Sequence, residues 1–284
     1  MHLWRESHRS KACQIQHRGQ VRPLQEACKE KMSFKIKILK KINFNNPILI
    51  EGLPGIGNVG KITLDYIVDS LNAQAFLEIY SHKFPNSVFV NEDNLIDLPR
   101  ITFYYKKIKE KEFIFLGGDV QPVDEIGSYE FCHEVLKLFK KFNGKKIITL
   151  AGIGLPKIPN NPKVYATGNS KEIMKFFNDK RINNEIFGTV GPIIGVTGLL
   201  IGLAKEYEID AICLLSQTFG HPNYLGIKGA RELLKVLDSK FKFDLDFGSL
   251  EKEIKEIEKE IKNKTQEITG FTQVKPNQEV SYIG

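Results

Sequence analysis

Cysteine is scarce in this chain, and its placement rules out two classes of protein. Cys13, Cys28, Cys132 and Cys213 form no C-x-x-C pair, so neither a zinc framework nor a disulfide scaffold is legible. Cys132 and Cys213 sit among apolar neighbours, as small buried residues do. A reducing cytoplasm is the expected compartment. Long apolar runs are missing too. The most apolar stretch, VGPIIGVTGLLIGLA from Val190 to Ala204, contains Pro192 and four glycines and falls short of the roughly 20 residues needed to span a bilayer, so no membrane partner is expected. His82, His133 and His221 are scattered without metal-ligand spacing, and no metal is expected.

Strong charge is also missing once the chain is divided. Residues 1–31 hold seven basic side chains against three acidic ones, so that the formal charge of +7 falls to +3 over the rest. That segment, MHLWRESHRSKACQIQHRGQVRPLQEACKEK, also holds the only tryptophan and four of the seven arginines. It has no apolar core of a signal peptide and is not the acid-free, amphipathic pattern of a transit peptide. It reads as a disordered extension, with the folded protein beginning at Met32. A basic arm on nucleic acid is the alternative, but nucleic acid is not the expected partner.

What is present is a series of short apolar runs ending in small residues: a first strand at Phe34 to Leu39, then PILIEG, AFLEIY, EFIFLGG, KIITLAG and DAICLLS. They alternate with helical patterns, which is the signature of an α/β fold with parallel strands and crossover helices. One helix puts Gly60, Leu64, Ile67, Val68 and Leu71 on a stripe, and another does so with Ser128, Cys132, Val135, Leu136 and Phe139. PRITFYYKK, from Pro99 to Lys107, should pair antiparallel with EFIFLGG, because KIKEKE between them is too short for a crossover helix. The expected sheet is therefore mixed and largely parallel, flanked by helices. Further helices are expected over Ser170 to Lys180 and Thr197 to Tyr207, where Gly198 and Gly202 would let another backbone approach closely. The α/β domain is expected over residues 32–247.

The stretch IEGLPGIGNVGKIT, Ile50 to Thr63, satisfies two nucleotide-binding patterns: Gly55, Gly57 and Gly60 make G-x-G-x-x-G, and Gly55 to Lys61 makes G-x-x-x-x-G-K. The P-loop pattern fails on an atom, since Ile62 stands where a magnesium-ligating hydroxyl is needed. The dinucleotide pattern finds an acid, Glu78, at the end of the next apolar run, but Leu53 and Pro54 lengthen a turn that has to be tight. Positive φ and close helix–strand packing explain the glycines without a ligand, so no cofactor is expected. Asp119 in GGDVQP and the pair Ser216 and His221 would lie at carboxyl ends of strands, where α/β proteins place active sites. Turn and cap duties account for them equally, and no catalytic residue is assigned.

The composition changes at Phe247. Ser249 is placed to cap a helix over 248–269 in which Leu250, Ile254, Ile257, Ile261 and Ile268 fall at coiled-coil spacing. Such a stripe seeks a second protomer or its own domain. Residues 270–284 should form a flexible tail ending in Tyr282, Ile283 and Gly284.

ILIEGLPGIGNVGK, SHKFPNSVFV, FLGGDVQP, TLAGIG, GPIIGVTGLLIGLA and CLLSQTFGHPN, in this order, resemble the archaeal members of the proteasome assembly chaperone family, named for the second subunit of the eukaryotic pair. The resemblance runs from about Phe34 to Ile268. It implies a single domain similar to the phosphorylase/hydrolase-like fold, self-association, and ATP-independent help in building the alpha ring of the proteasome core particle. In that family the glycine turn is a structural signature. The resemblance also implies a tail with a hydrophobic residue, a tyrosine and a final residue. Here Tyr282 stands one place earlier than that pattern. Proteasome alpha subunits are the expected partners. The alternatives are a nucleotide-binding protein or enzyme (ligase or hydrolase) using Gly55 to Lys61 with Glu78 or Asp119, and an oligomeric scaffold with another client.

Overall fold

The computed structural model describes residues 34–183, 185–188 and 190–252. The expected N-terminal extension, the stripe residues Ile254, Ile257 and Ile261, and the tail residues Tyr282, Ile283 and Gly284 lie outside the described residues.

From the amino end run β1 (Phe34–Ile38), β2 (Ile48–Gly52), α1 (Val59–Ser70), β3 (Gln74–Ser81), a small hairpin of β4 (Phe89–Val90) and β5 (Ile96–Asp97), β6 (Ile101–Ile108) and β7 (Lys111–Gly118). There follow α2 (Glu125–Lys141), β8 (Lys146–Leu155), β9 (Val164–Gly168), α3 (Lys171–Phe176), β10 (Ile182–Asn183), α4 (Val196–Ala204), β11 (Asp210–Phe219) and α5 (Ile227–Phe241). Among the described residues nine strands form one sheet, in the order β1-β3-β6-β7-β2-β8-β11-β9-β10. Its centre, β7-β2-β8-β11, is parallel. Toward the flanks the pairing turns antiparallel, at β7–β6, β6–β3, β3–β1 and β11–β9. The mixed α/β architecture is thus the one the sequence predicts, and the antiparallel β6–β7 pair follows from its short connection.

The central strand β2, ILIEG, is buried at every position, as a strand covered on both faces must be. Ile48 and Ile50 join the core under α1 and α5. Leu49 joins the core under α2 and α4. The stripes expected on α1 and α2 are the buried ones, apart from Leu71, which caps α1. Helix α5 is not anticipated from the sequence, although Ala230, Leu233, Leu234, Leu237 and Phe241 make a buried face on it.

Three boundaries differ from expectation. Helix α3 stops at Phe176, with Ser170 as its cap accepting from the Ile173 amide at 3.2 Å. Helix α4 ends at Ala204 and tightens into a 3-10 turn over Lys205–Tyr207. A last helix begins at residue 247, earlier than the cap at Ser249 requires. Asp246 caps it instead, its Oδ1 accepting from the amides of Gly248 at 2.9 Å and Ser249 at 3.2 Å.

Candidate functional site

The glycine turn joins β2 to α1 at the carboxyl end of the parallel strands. Gly57 has φ +61°, and a methyl group on it would lie 2.7 Å from the Thr218 hydroxyl on β11. Its carbonyl accepts from the Gly226 amide at 2.7 Å, which ties the turn to the start of α5. Gly60 lets α1 press on β8 so closely that a methyl there would collide with the Leu150 carbonyl. By contrast, Gly55 is extended, at φ −163°, with open space where a side chain would be. Two of the three glycines therefore serve packing.

The polar groups that a nucleotide would need are engaged or distant. Lys61 Nζ is paired with Asp65 at 2.7 Å and with Asp119 at 2.9 Å. Burial pulls its pKa down, but hydrogen bonds to the two carboxylates outweigh this and hold it above the ordinary lysine value. Glu78 is not brought to the turn, because β6 and β7 stand between β3 and β2. It meets Lys37 at 3.0 Å and Arg100 at 3.5 Å instead. Ser216 and His221 are not brought into a nucleophile–base pair. The Ser216 hydroxyl is buried without a hydrogen-bond partner, and the exposed His221 ring accepts from the Asn223 amide at 3.3 Å and stacks on Phe219. His133 meets the Tyr207 hydroxyl at 2.9 Å. Among the described residues no group of three metal-ligating side chains occurs.

The structure also reveals a crevice that the sequence does not announce. β2 continues through α1 toward β3 on one side of the sheet, and β8 leads to β9 and β11 on the other. Adjacent parallel strands whose continuations diverge leave a gap outside their carboxyl ends, where ligands of α/β proteins bind. A cavity of about 430 Å³ lies there, walled by Ile56, Gly152, Ile153, Ile193, Thr197 and Leu215 among others. Gln121 braces the wall by donating to the Pro54 carbonyl and accepting from the Val196 amide. Gly198 lets the Ile193 carbonyl come against α4, whereas Gly202 faces open space.

Behind this wall lies Glu51, fully buried at the end of β2. Its Oε1 accepts from the Leu53 amide at 3.1 Å and the Thr197 hydroxyl at 3.2 Å, while Oε2 has no hydrogen-bond partner. Burial pushes the carboxyl up to about 8, against the smaller opposing pull of Leu53, Thr197 and the Leu150 amide. Cys213 is buried on the same face, and burial pushes its thiol up to about 12. Both described cysteines are buried and free, as their apolar neighbours predict. The one sequence signal for Glu51 is an acid inside an otherwise apolar run.

Residues 49–264 match the model of the PAC2 family. The chain belongs to the PAC2 family. A Methanocaldococcus jannaschii relative, the uncharacterized protein MJ1210, is 32% identical over 231 residues, spanning 79% of this chain and 87% of the relative. Among solved structures, Pyrococcus furiosus PbaB, described as an archaeal proteasome activator, is 29% identical with a TM-score of 0.76, covering 83% of this chain and 99% of that one. Pyrococcus furiosus PbaA, described as an archaeal homolog of proteasome-assembly chaperone, shares the fold at 24% identity and a TM-score of 0.69, over 84% and 94% of the two chains. This PAC2 chain thus matches nearly the whole of PbaB. Among its described residues no helix is long and apolar enough to cross a membrane.

Proposed function

We propose that this chain is an archaeal-type proteasome assembly chaperone, cytoplasmic and homo-oligomeric, that binds alpha subunits of the core particle by surface complementarity and needs neither nucleotide nor a catalytic residue. The observation that carries the proteasome part of this reading is the likeness to PbaB, described as a proteasome activator, at 29% identity over 99% of that chain; the assembly role is drawn from PbaA, described as a homolog of proteasome-assembly chaperone. Two features of the molecule support it. Gly57 and Gly60 are used in packing, and Lys61 is used in ion pairs, which suits a fold element better than a phosphate cradle. The β4–β5 hairpin also exposes Val88, Phe89, Val90, Leu95, Ile96 and Leu98, a concentration of apolar side chains of the kind that marks protein-binding surfaces.

The test is co-elution of the purified full chain with alpha subunits of its own source organism in size-exclusion chromatography. Joint elution is expected, and its absence across several salt concentrations would overturn the reading. A Tyr282→Ala variant then separates docking by the tail from docking by the folded domain. Loss of co-elution assigns the tail; unchanged co-elution assigns the domain.

A further inference from the structure

We infer that the crevice between β2 and β8 is a binding site for a short extended peptide, which adds to the open edge of β8 at Gly152 and Gly154 and seats an uncharged aliphatic side chain in the cavity. The occupant is an uncharged, aliphatic segment of a partner protein, chosen by the walls of the cavity, and the inference does not rest on the proteasome reading.

The edge is open because β2 is short. Its register with β8 ends at Glu51 opposite Thr149, whereas β8 runs on to Leu155 and pairs with β11 as far as Phe219. From Leu150 onward β8 therefore has a strand on one side only. The direction of its backbone groups follows from two bonds to β11. Gly220 donates to the Leu155 carbonyl at 2.8 Å, and Asp210 donates to the Lys145 carbonyl at 3.0 Å. In a parallel ladder, residues alternate in the neighbour that they address. Odd-numbered residues of β8 thus turn to β11, and even-numbered ones turn to the β2 side. Leu150 fits this pattern, its amide acting on Glu51. Gly152 and Gly154 are next in the series, and among the described residues no group bonds to either on that side. Each offers one donor and one acceptor, about 6.6 Å apart along the strand.

An unpaired strand edge is a template for another chain, and proteins ordinarily blunt it with charge, proline or a cover. Here the glycine turn packs Ile56 over one face of Gly152 and Gly154, but the edge carries no charge or proline and borders a cavity of about 430 Å³, in the size range of real ligand sites. Main-chain pairing of this kind supplies affinity, while pockets for alternate side chains supply selectivity. The side-chain preference follows from the walls. Ile56, Ile153, Ile193, Ile194 and Leu215 line the cavity, and no Lys, Arg, Asp or Glu does. A charged side chain entering it would lose hydration without gaining a partner.

The probe is the blocked tripeptide N-acetyl-Val-Leu-Val-amide, titrated into the ¹⁵N-labelled full chain. Saturable shifts of the Gly152 and Gly154 amide signals are expected. The same peptide N-methylated at all three residues, which removes its donors, should bind at least about tenfold more weakly, and so should the blocked Asp-Lys-Asp tripeptide, a change worth about 1.4 kcal/mol. Ile194→Asp, at a wall position that is 85% exposed and so tolerant of change, should weaken the aliphatic peptide alike. Absence of saturable shifts at millimolar peptide, shifts confined to other residues, or equal binding of the N-methylated peptide would each overturn the inference.

Discussion

Thr197 donates its hydroxyl to Glu51 Oε1 across 3.2 Å, joining the first turn of α4 to the end of β2 over 146 residues of sequence. The carboxyl that it holds is the most perturbed acid of the central sheet, and it makes stability depend on pH.

Burial raises the Glu51 pKa from 4.5 to about 8 in the folded state, so between those values the folded protein holds a proton that the unfolded chain has released. The contribution is fully present below about pH 4.5 and is lost as pH rises toward 8, at roughly 1 kcal/mol per pH unit. Glu51→Gln, which keeps the shape and cannot ionise, should gain stability relative to the parent as pH goes from 5 to 8. Urea denaturation of both proteins across that range measures it. Parallel profiles would show that Glu51 does not titrate there.

The three glycines of the turn should differ in sensitivity. Gly55→Ala meets open space in extended backbone and should stay within about 0.5 kcal/mol of the parent. Gly57→Ala combines φ +61° with a clash on Thr218, and Gly60→Ala drives a methyl into the Leu150 carbonyl. Each should cost about 1–3 kcal/mol, or about 2–4 °C of Tm per kcal/mol. Equal tolerance at all three positions in thermal denaturation would contradict a packing role.

Nucleotides should leave the protein unchanged. Lys61 is held by Asp65 and Asp119, and Glu78 lies three strands from the turn. A ligand at a hundredfold excess over its Kd adds about 2.7 kcal/mol, so ATP, GTP, NAD or NADP would raise Tm visibly if bound. No rise and no calorimetric heat are expected. Saturable binding that Gly57→Val abolishes would restore the turn as a nucleotide site.

The stripe of Ile254, Ile257 and Ile261 is a proposal from sequence alone. If it meets a second protomer, Ile254→Glu with Ile257→Glu should shift the mass toward monomer in light scattering, because each burial lost is worth about 1.5–3 kcal/mol. Unchanged mass would place the stripe against its own domain.

Periodicity along the chain was enough to determine the α/β class, the buried run ILIEG, the apolar stripes of α1 and α2 and the antiparallel β6–β7 pair, because each depends on neighbours a few residues away. The missed α5 was legible in the same way, from Ala230, Leu233, Leu234, Leu237 and Phe241. Asp246, by contrast, replaced Ser249 as a cap because the helix starts earlier than its apolar stripe shows. The glycine turn illustrates the limit of pattern: its letters fit two nucleotide motifs, and what decided its use was Thr218 and Gly226, brought from β11 and the start of α5. Likewise nothing near Glu78 in sequence reveals that β6 and β7 separate it from β2. The open edge of β8 exists only because β2 stops at Gly52 beside a strand that continues to Leu155. Strand order, edges and the burial of a single carboxyl are settled by contacts between distant segments, and local pattern encodes which way a side chain points but not what it will meet.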